Sequence, residues 1–165
     1  MLDETIIASM IPEPTSANAW LAPHAELLLR CYRHWTGRDL IDRGLSPADA
    51  ARALYEADFV VLSHDTATDP CFNYANLTAQ RLFERSWSDF IGLPSRLSAE
   101  PLAREERARL LEQVVCQGYT DGYSGVRVSA SGRRFLVRQA TVWNLIDPEG
   151  LPCGQAASFA EWQWI

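Results

Sequence analysis

Between Gly125 and Trp143 apolar and polar residues alternate along the chain. Val126, Val128 and Ala130 alternate with Arg127, Ser129 and Ser131, the period of two of a strand buried on one face. Gly132 marks a turn. In the second run Phe135, Val137, Gln139, Thr141, Trp143 and Leu145 fall on one face, opposite Arg134, Leu136, Arg138, Ala140, Val142 and Asn144. This predicts a β-hairpin around which the chain is organised, with the Phe135 set turned inward. Two inward residues, Gln139 and Thr141, are polar. A buried amide left unpaired costs roughly 1–3 kcal/mol, so Gln139 needs backbone, water or a ligand.

Upstream the period changes. Trp20, Leu21, Ala25, Leu28, Leu29, Tyr32 and Trp35 recur at spacings of three and four, predicting an amphipathic helix from Asn18 or Ala19 to Gly37. Ser46-Pro47-Ala48-Asp49 reads as the start of a second helix that ends near Ala57. Phe59 to Leu62 and Cys71 to Tyr74 read as strands. Asn76 and Ser86 are caps of two short helices, the second closed by Gly92. A longer helix from about Leu102 to Gln117 is expected to bury Leu110, Leu111, Val114 and Val115. Its Arg104, Glu105, Glu106, Arg107, Arg109 and Glu112 form the solvated face. Asp147 to Gly150 is a type I turn into a last strand, Leu151 to Trp164. The sum is an α+β domain with an antiparallel sheet and helices on one face. Residues 1–19 form an unstructured or loosely docked arm, 20–57 a helical cap and 58–165 the sheet domain.

Composition narrows the partners. The 165 residues suit a single core. Net charge is −6, which disfavours nucleic acid and anionic membranes. No run is apolar enough to span a bilayer and no signal peptide begins the chain, so a cytoplasmic address is expected. All 15 basic residues are arginine, which excludes lysine Schiff bases and phosphate-loop lysines. Cys31, Cys71, Cys116 and Cys153 form no Cys-x-x-Cys pair and are expected to be reduced.

The residues Gly125, Val128, Ser129, Gly132, Arg133, Gln139, Ala140 and Trp143 resemble the core signature of the MEKHLA domain. That domain occurs at the C-terminus of plant class III homeodomain leucine-zipper proteins and as stand-alone bacterial and algal proteins, and is regarded as PAS-like. The earlier half agrees: Phe72-Asn73-Tyr74-Ala75-Asn76, Leu82-Phe83 and Trp87-Ser88-Asp89-Phe90-Ile91-Gly92 are similar to the first half of PAS domains. The resemblance implies a small sensory or interaction module with a PAS-like sheet, short helices on one face and an N-terminal helical extension. Flavin photosensors of this fold carry a reactive cysteine just after the glycine that closes the second short helix. Here that position is Ser95, which forms no thiol adduct. No cofactor is specified.

The candidate chemistry is sparse. His24, His34 and His64 do not sit at metal-ligand spacing, so no metal site is expected. Ser63-His64-Asp65 holds triad residue types, but consecutive residues do not point at one another. The candidate ligand-binding set is Phe83, Phe90, Val137, Gln139, Thr141 and Trp143, apolar walls with a few polar groups. Trp162 and Trp164, two apart on the last strand, are candidates for an interface or for packing under the first helix. The expected function is a sensory or regulatory module that binds a small molecule, a protein partner or both. It is expected to homodimerise through the N-terminal helix and sheet surface. With no kinase, cyclase or DNA-binding segment in the sequence, such a regulator is expected to act through another protein. The alternative is a small enzyme of a related cone-shaped α+β fold, using a pocket on the same sheet.

Overall fold

The structure is a computed structural model that describes residues 11–100 and 103–165. The N-terminal arm before Ile11 and the expected helix start at Leu102 lie outside the described residues. The helices are α1 (Ala22–Thr36), α2 (Pro47–Tyr55), α3 (Leu77–Phe83), α4 (Trp87–Phe90) and α5 (Arg104–Gln117). The strands are β1 (Val60–His64), β2 (Phe72–Ala75), β3 (Tyr119–Val128), β4 (Arg134–Ile146), β5 (Pro152–Phe159) and β6 (Glu161–Trp164). The sheet is antiparallel in the order β2-β1-β5-β4-β3. The expected last strand is broken at Ala160. Its first part pairs with the C-terminal half of β4 and its second, β6, with the N-terminal half.

Local signals set most boundaries. Ser46, Asn76 and Ser86 each accept a backbone N–H with the side-chain oxygen, satisfying orphan donors of α2, α3 and α4. α1 starts later than its periodicity predicts. Ala19, Trp20 and Leu21 wind left-handed, with φ of 52°, 59° and 54°. Asn18 Oδ1 holds that turn by accepting from Thr15 N (2.9 Å) and Leu21 N (3.3 Å). Before it, residues 11–15 lie against the body: Trp87 Nε1 donates to Ile11 O (3.0 Å) and Tyr55 Oη to Glu13 Oε1 (2.6 Å).

The sheet has a core on each face. On one side α1 and α2 bury Ala25, Leu28, Cys31, Tyr32, Leu54 and Tyr55 against Val61, Tyr74, Trp143 and Leu145. On the other, α3 and α4 bury Leu82, Phe83 and Phe90 against Val60, Phe72, Phe135, Val137 and Phe159. Asn76 joins the two layers. It is fully buried, and its Oδ1 accepts from Ala79 N and Val61 N (3.1 Å each). Its Nδ2 donates to Leu54 O (3.1 Å) and Phe59 O (2.8 Å). A residue read as a helix cap ties α2, β1 and α3 together.

One expectation about the sheet is overturned. Phe135 to Leu145 do not share a face, because two bulges sit side by side in the hairpin. Tyr123 pairs with Ala140 and Gly125 with Val137, so Arg138 and Gln139 oppose Ser124 alone. Thr120 pairs with Val142, which leaves Asp121 and Gly122 opposite Thr141. Gln139 has φ 54° and Gly122 φ 72°. An inserted residue shifts a period of two by one, so every side chain beyond it changes face. Phe135 and Val137 face the short helices, whereas Trp143 and Leu145 face α1.

Candidate functional site: a cavity between the sheet and the long helix

On the short-helix face Val60 pairs with Phe159 and shares a core with Ala140, and the registers then place Leu62, Ala157 and Val142 in one row and His64, Gln155 and Asn144 in the next. The Val60 group and the Leu62 row are apolar and the His64 row is polar. α5 crosses this face. Its expected inner stripe is there in part: Val114 is fully buried and Leu110 and Leu111 are half-buried against the cavity, but Val115 is 65% exposed. Two amides reinforce this packing: Gln155 Nε2 donates to Leu111 O (3.0 Å) and Asn144 Nδ2 to Val114 O (2.7 Å). A cavity of about 60 Å³ remains beneath it, walled by Leu62, Phe72, Phe83, Val137, Val142 and Phe159.

The charged lining comes from two arginines. Arg107, assigned by the sequence pattern to the solvated face, stands at the cavity, its Nη2 donating to Ser95 Oγ (2.8 Å). Burial and the neighbouring Arg127 pull its pKa down to about 10, so it stays charged at neutral pH. Arg127 enters from β3, donating from Nη1 to Val126 O and from Nη2 to Tyr123 Oη (3.0 Å each). Tyr123 itself lies over Gly125, where a Cβ would come within 2.3 Å of the phenol oxygen. A side chain at position 125 would therefore displace the Tyr123 ring. Ser98 completes the lining, its hydroxyl donating to Ser95 O (2.7 Å).

His64 and Gln155 stand between the cavity and an open cleft of about 380 Å³. His64 Nδ1 bonds to Asp65 O (2.8 Å), a carbonyl that only accepts, so the neutral ring presents Nε2 as an acceptor. That nitrogen is buried and has no partner among the described residues. Burial, then the charge of Arg107, lowers the His64 pKa and keeps the ring neutral.

The six candidate residues do not converge. Phe83 and Val137 line the cavity. Phe90 packs edge-on against Phe72 and Phe83, in the core beside it. Gln139 is exposed at its bulge. Thr141 donates to Asp121 Oδ1 (2.7 Å), the carboxylate that also receives Arg38 Nη2 (2.8 Å). Trp143 is fully buried under α1, edge-on to Tyr32 at 5.0 Å. Arg107, Arg127, His64, Gln155 and Tyr123 were missed. The strand alternation Tyr123, Gly125, Arg127 signalled two of them, but nothing in helical spacing separates Arg107 from its solvated neighbours.

Other expectations can be placed. Ser63 and His64 face opposite sides of the sheet. Ser63 Oγ donates to Asn73 Oδ1 (2.6 Å), which leaves His24 Nε2–H to donate to Ser63 Oγ (3.0 Å). Ser63 is fully buried beneath α1, and His24, on that helix, is half-buried, stacked on the Tyr74 ring at 5.5 Å. Trp162 and Trp164 turn toward the short-helix core and not toward α1. Trp164 contacts Phe135 at 5.3 Å, and Arg133 lies 3.8 Å over its ring. All four cysteines fall among the described residues, where no disulfide forms and no cluster of metal-ligating side chains occurs. Among those residues no helix is long and apolar enough to cross a membrane.

The MEKHLA domain matches residues 22–164, the two N-terminal helices included. The chain belongs to the MEKHLA domain family. Among plant relatives, the homeobox-leucine zipper protein HOX32 of Oryza sativa subsp. japonica is 23% identical over 159 residues, which cover 93% of this chain. The homeobox-leucine zipper protein ATHB-9 of Arabidopsis thaliana is 22% identical over 171 residues, which cover 98% of this chain. The chain spans 17% and 20% of those proteins. A PAS domain from Colwellia psychrerythraea superposes with a TM-score of 0.60 at 15% identity, over 71% of this chain and 94% of that one. An RNA-binding light-oxygen-voltage receptor gives 0.58 at 19% identity, over 73% and 33%. The fold is PAS-like.

The MEKHLA signature residues have structural work to do. Ser129 Oγ donates to Glu84 Oε2 (2.7 Å), and Arg133 pairs with Glu84 at 3.6 Å. With Ala130 N bonded to Phe83 O (2.9 Å), these contacts dock the hairpin on the end of α3. Gln139, with Arg138, makes the face-switching bulge, Ala140 pairs with Tyr123 beside it, and Trp143 packs under α1. The signature records how a PAS-like sheet receives an N-terminal helical layer, and the cavity residues Arg107, Arg127 and His64 lie outside it.

Proposed function

We propose that this MEKHLA domain is a sensory or regulatory module that takes a small molecule into the cavity under α5 and relays its occupancy to a protein partner. The observation that carries this reading is the cavity itself, apolar-walled with charged and polar groups at its margin, the usual character of a small-ligand site. Its covering helix fully buries only Val114 and is otherwise held by half-buried Leu110 and Leu111 and two amide-to-carbonyl bonds, so α5 is the element best able to move when the cavity fills. The apolar stripe of α1 is occupied by its own sheet. A partner, or a second copy, would therefore meet other surfaces.

The test is native mass spectrometry of freshly purified protein, paired with an absorption spectrum. One small retained mass per chain, lost on denaturation, supports the sensor reading, and the same spectrum reports the oligomer. A bare chain mass, with no change in the amide spectrum of α5 when small organic probes are added, overturns it.

A further inference from the structure

We propose that the cavity selects a small carboxylate with a short apolar tail, and that Arg107 holds the carboxylate. The inference rests on the cavity being a ligand site, as proposed above. Arg107 and Arg127 both stand at its wall. Arg107 donates to a serine hydroxyl, Arg127 to a carbonyl and a phenol, and none of these carries charge. Among the described residues no carboxylate forms an ion pair with either guanidinium. Asp69, whose charge Arg107 feels, is engaged by Arg96 at 3.2 Å. His64, at the polar end, is held neutral and adds no counter-charge.

Two guanidiniums facing one apolar cavity without a counter-ion make a positive potential that an anion relieves. The planar fork of Arg107 matches a carboxylate, which accepts two parallel N–H bonds. The walls fix the rest of the ligand. Leu62, Phe83, Val137 and Phe159 offer an alkyl chain contact and offer a fully hydrated inorganic ion nothing. Size limits the tail: about 60 Å³ is the liquid-volume share of roughly two water molecules. Acetate is the fitting size, and propionate or butyrate requires α5 to lift.

The experiment is isothermal titration of the full chain at constant ionic strength with acetate, propionate and butyrate. Propionamide and 1-butanol serve as uncharged counterparts, and chloride and sulfate as inorganic anions. The expected result is one carboxylate per chain, with Arg107→Gln weakening it by about 10- to 100-fold and Arg107→Lys by less, since the charge remains but the fork is lost. If Arg107→Gln fails to fold, Arg127→Gln carries the test, with weaker binding again expected and unchanged binding contradicting the proposal. Equal binding of propionamide or 1-butanol overturns the anion while leaving the cavity as a ligand site. Equal binding of chloride or sulfate overturns carboxylate selectivity. If no probe binds, the ligand-site reading and the carboxylate fail together.

Discussion

Replacing Asn76 with alanine separates a helix cap from a structural hub. A cap alone is worth about 1 kcal/mol, within a range of roughly 0.5–2. The structure assigns Asn76 more. Its side chain satisfies the N–H groups of Val61 and Ala79 and the carbonyls of Leu54 and Phe59, at a site with no exposed surface. Alanine leaves two buried donors unpaired, at roughly 1–3 kcal/mol each, and two carbonyls less completely satisfied. The expected loss for Asn76→Ala is therefore about 3–5 kcal/mol, a large share of the roughly 5–15 kcal/mol typical of a domain. Asn76→Ser keeps an acceptor for Ala79 N and should recover about 1 kcal/mol. Urea unfolding followed by tryptophan fluorescence reads both. With an m-value of roughly 2 kcal/mol/M, a loss of about 4 kcal/mol moves the midpoint by about 2 M. A loss near 1 kcal/mol for alanine, matched by serine, would refute the hub and leave only the cap.

Three further outcomes are expected. Gln139→Gly should leave stability within about 1 kcal/mol or raise it, since glycine prefers φ near 54°, while Gln139→Val should cost about 1–3 kcal/mol; equal urea midpoints would count against the bulge. Burial pushes the His24 pKa down to about 4 from a free value near 6.5, so between these values the unfolded chain holds more protons than the folded one. Stability contributed by neutral His24 is thus fully present above about pH 6.5 and is lost as pH falls toward 4; His24→Gln should flatten that part of the stability profile, and an unchanged profile would contradict burial as its cause. In a double-mutant cycle, Arg133→Gln and Trp164→Leu should couple by about 0.5–1 kcal/mol, the worth of a cation over an indole face at a partly exposed site, and zero coupling would show the stacking contributes nothing.

Short-range physics was legible in the sequence. Cap residues at Ser46, Asn76 and Ser86, turn residues at Gly132 and Asp147 to Gly150, and the two hydrophobic periods place the elements, because each depends on neighbours a few residues away. Together with the signature from Gly125 to Trp143, they point to an α+β, PAS-like domain with an N-terminal helical layer. What needed the tertiary structure was any feature set by one extra residue or by a distant partner. The Gln139 bulge carries no local signal, since glutamine in the left-handed region is held there by the facing bulge at Gly122, yet it sends Trp143 to α1 and keeps Val137 at the cavity. Arg107 has the same helical spacing as its solvated neighbours. Only the placing of α5 over the sheet, through Gln155 and Asn144 on strands more than 25 residues downstream, turns that guanidinium inward. Periodicity reports which residues of an element share a face; which face a long helix presents to a site is decided by the groups that receive it.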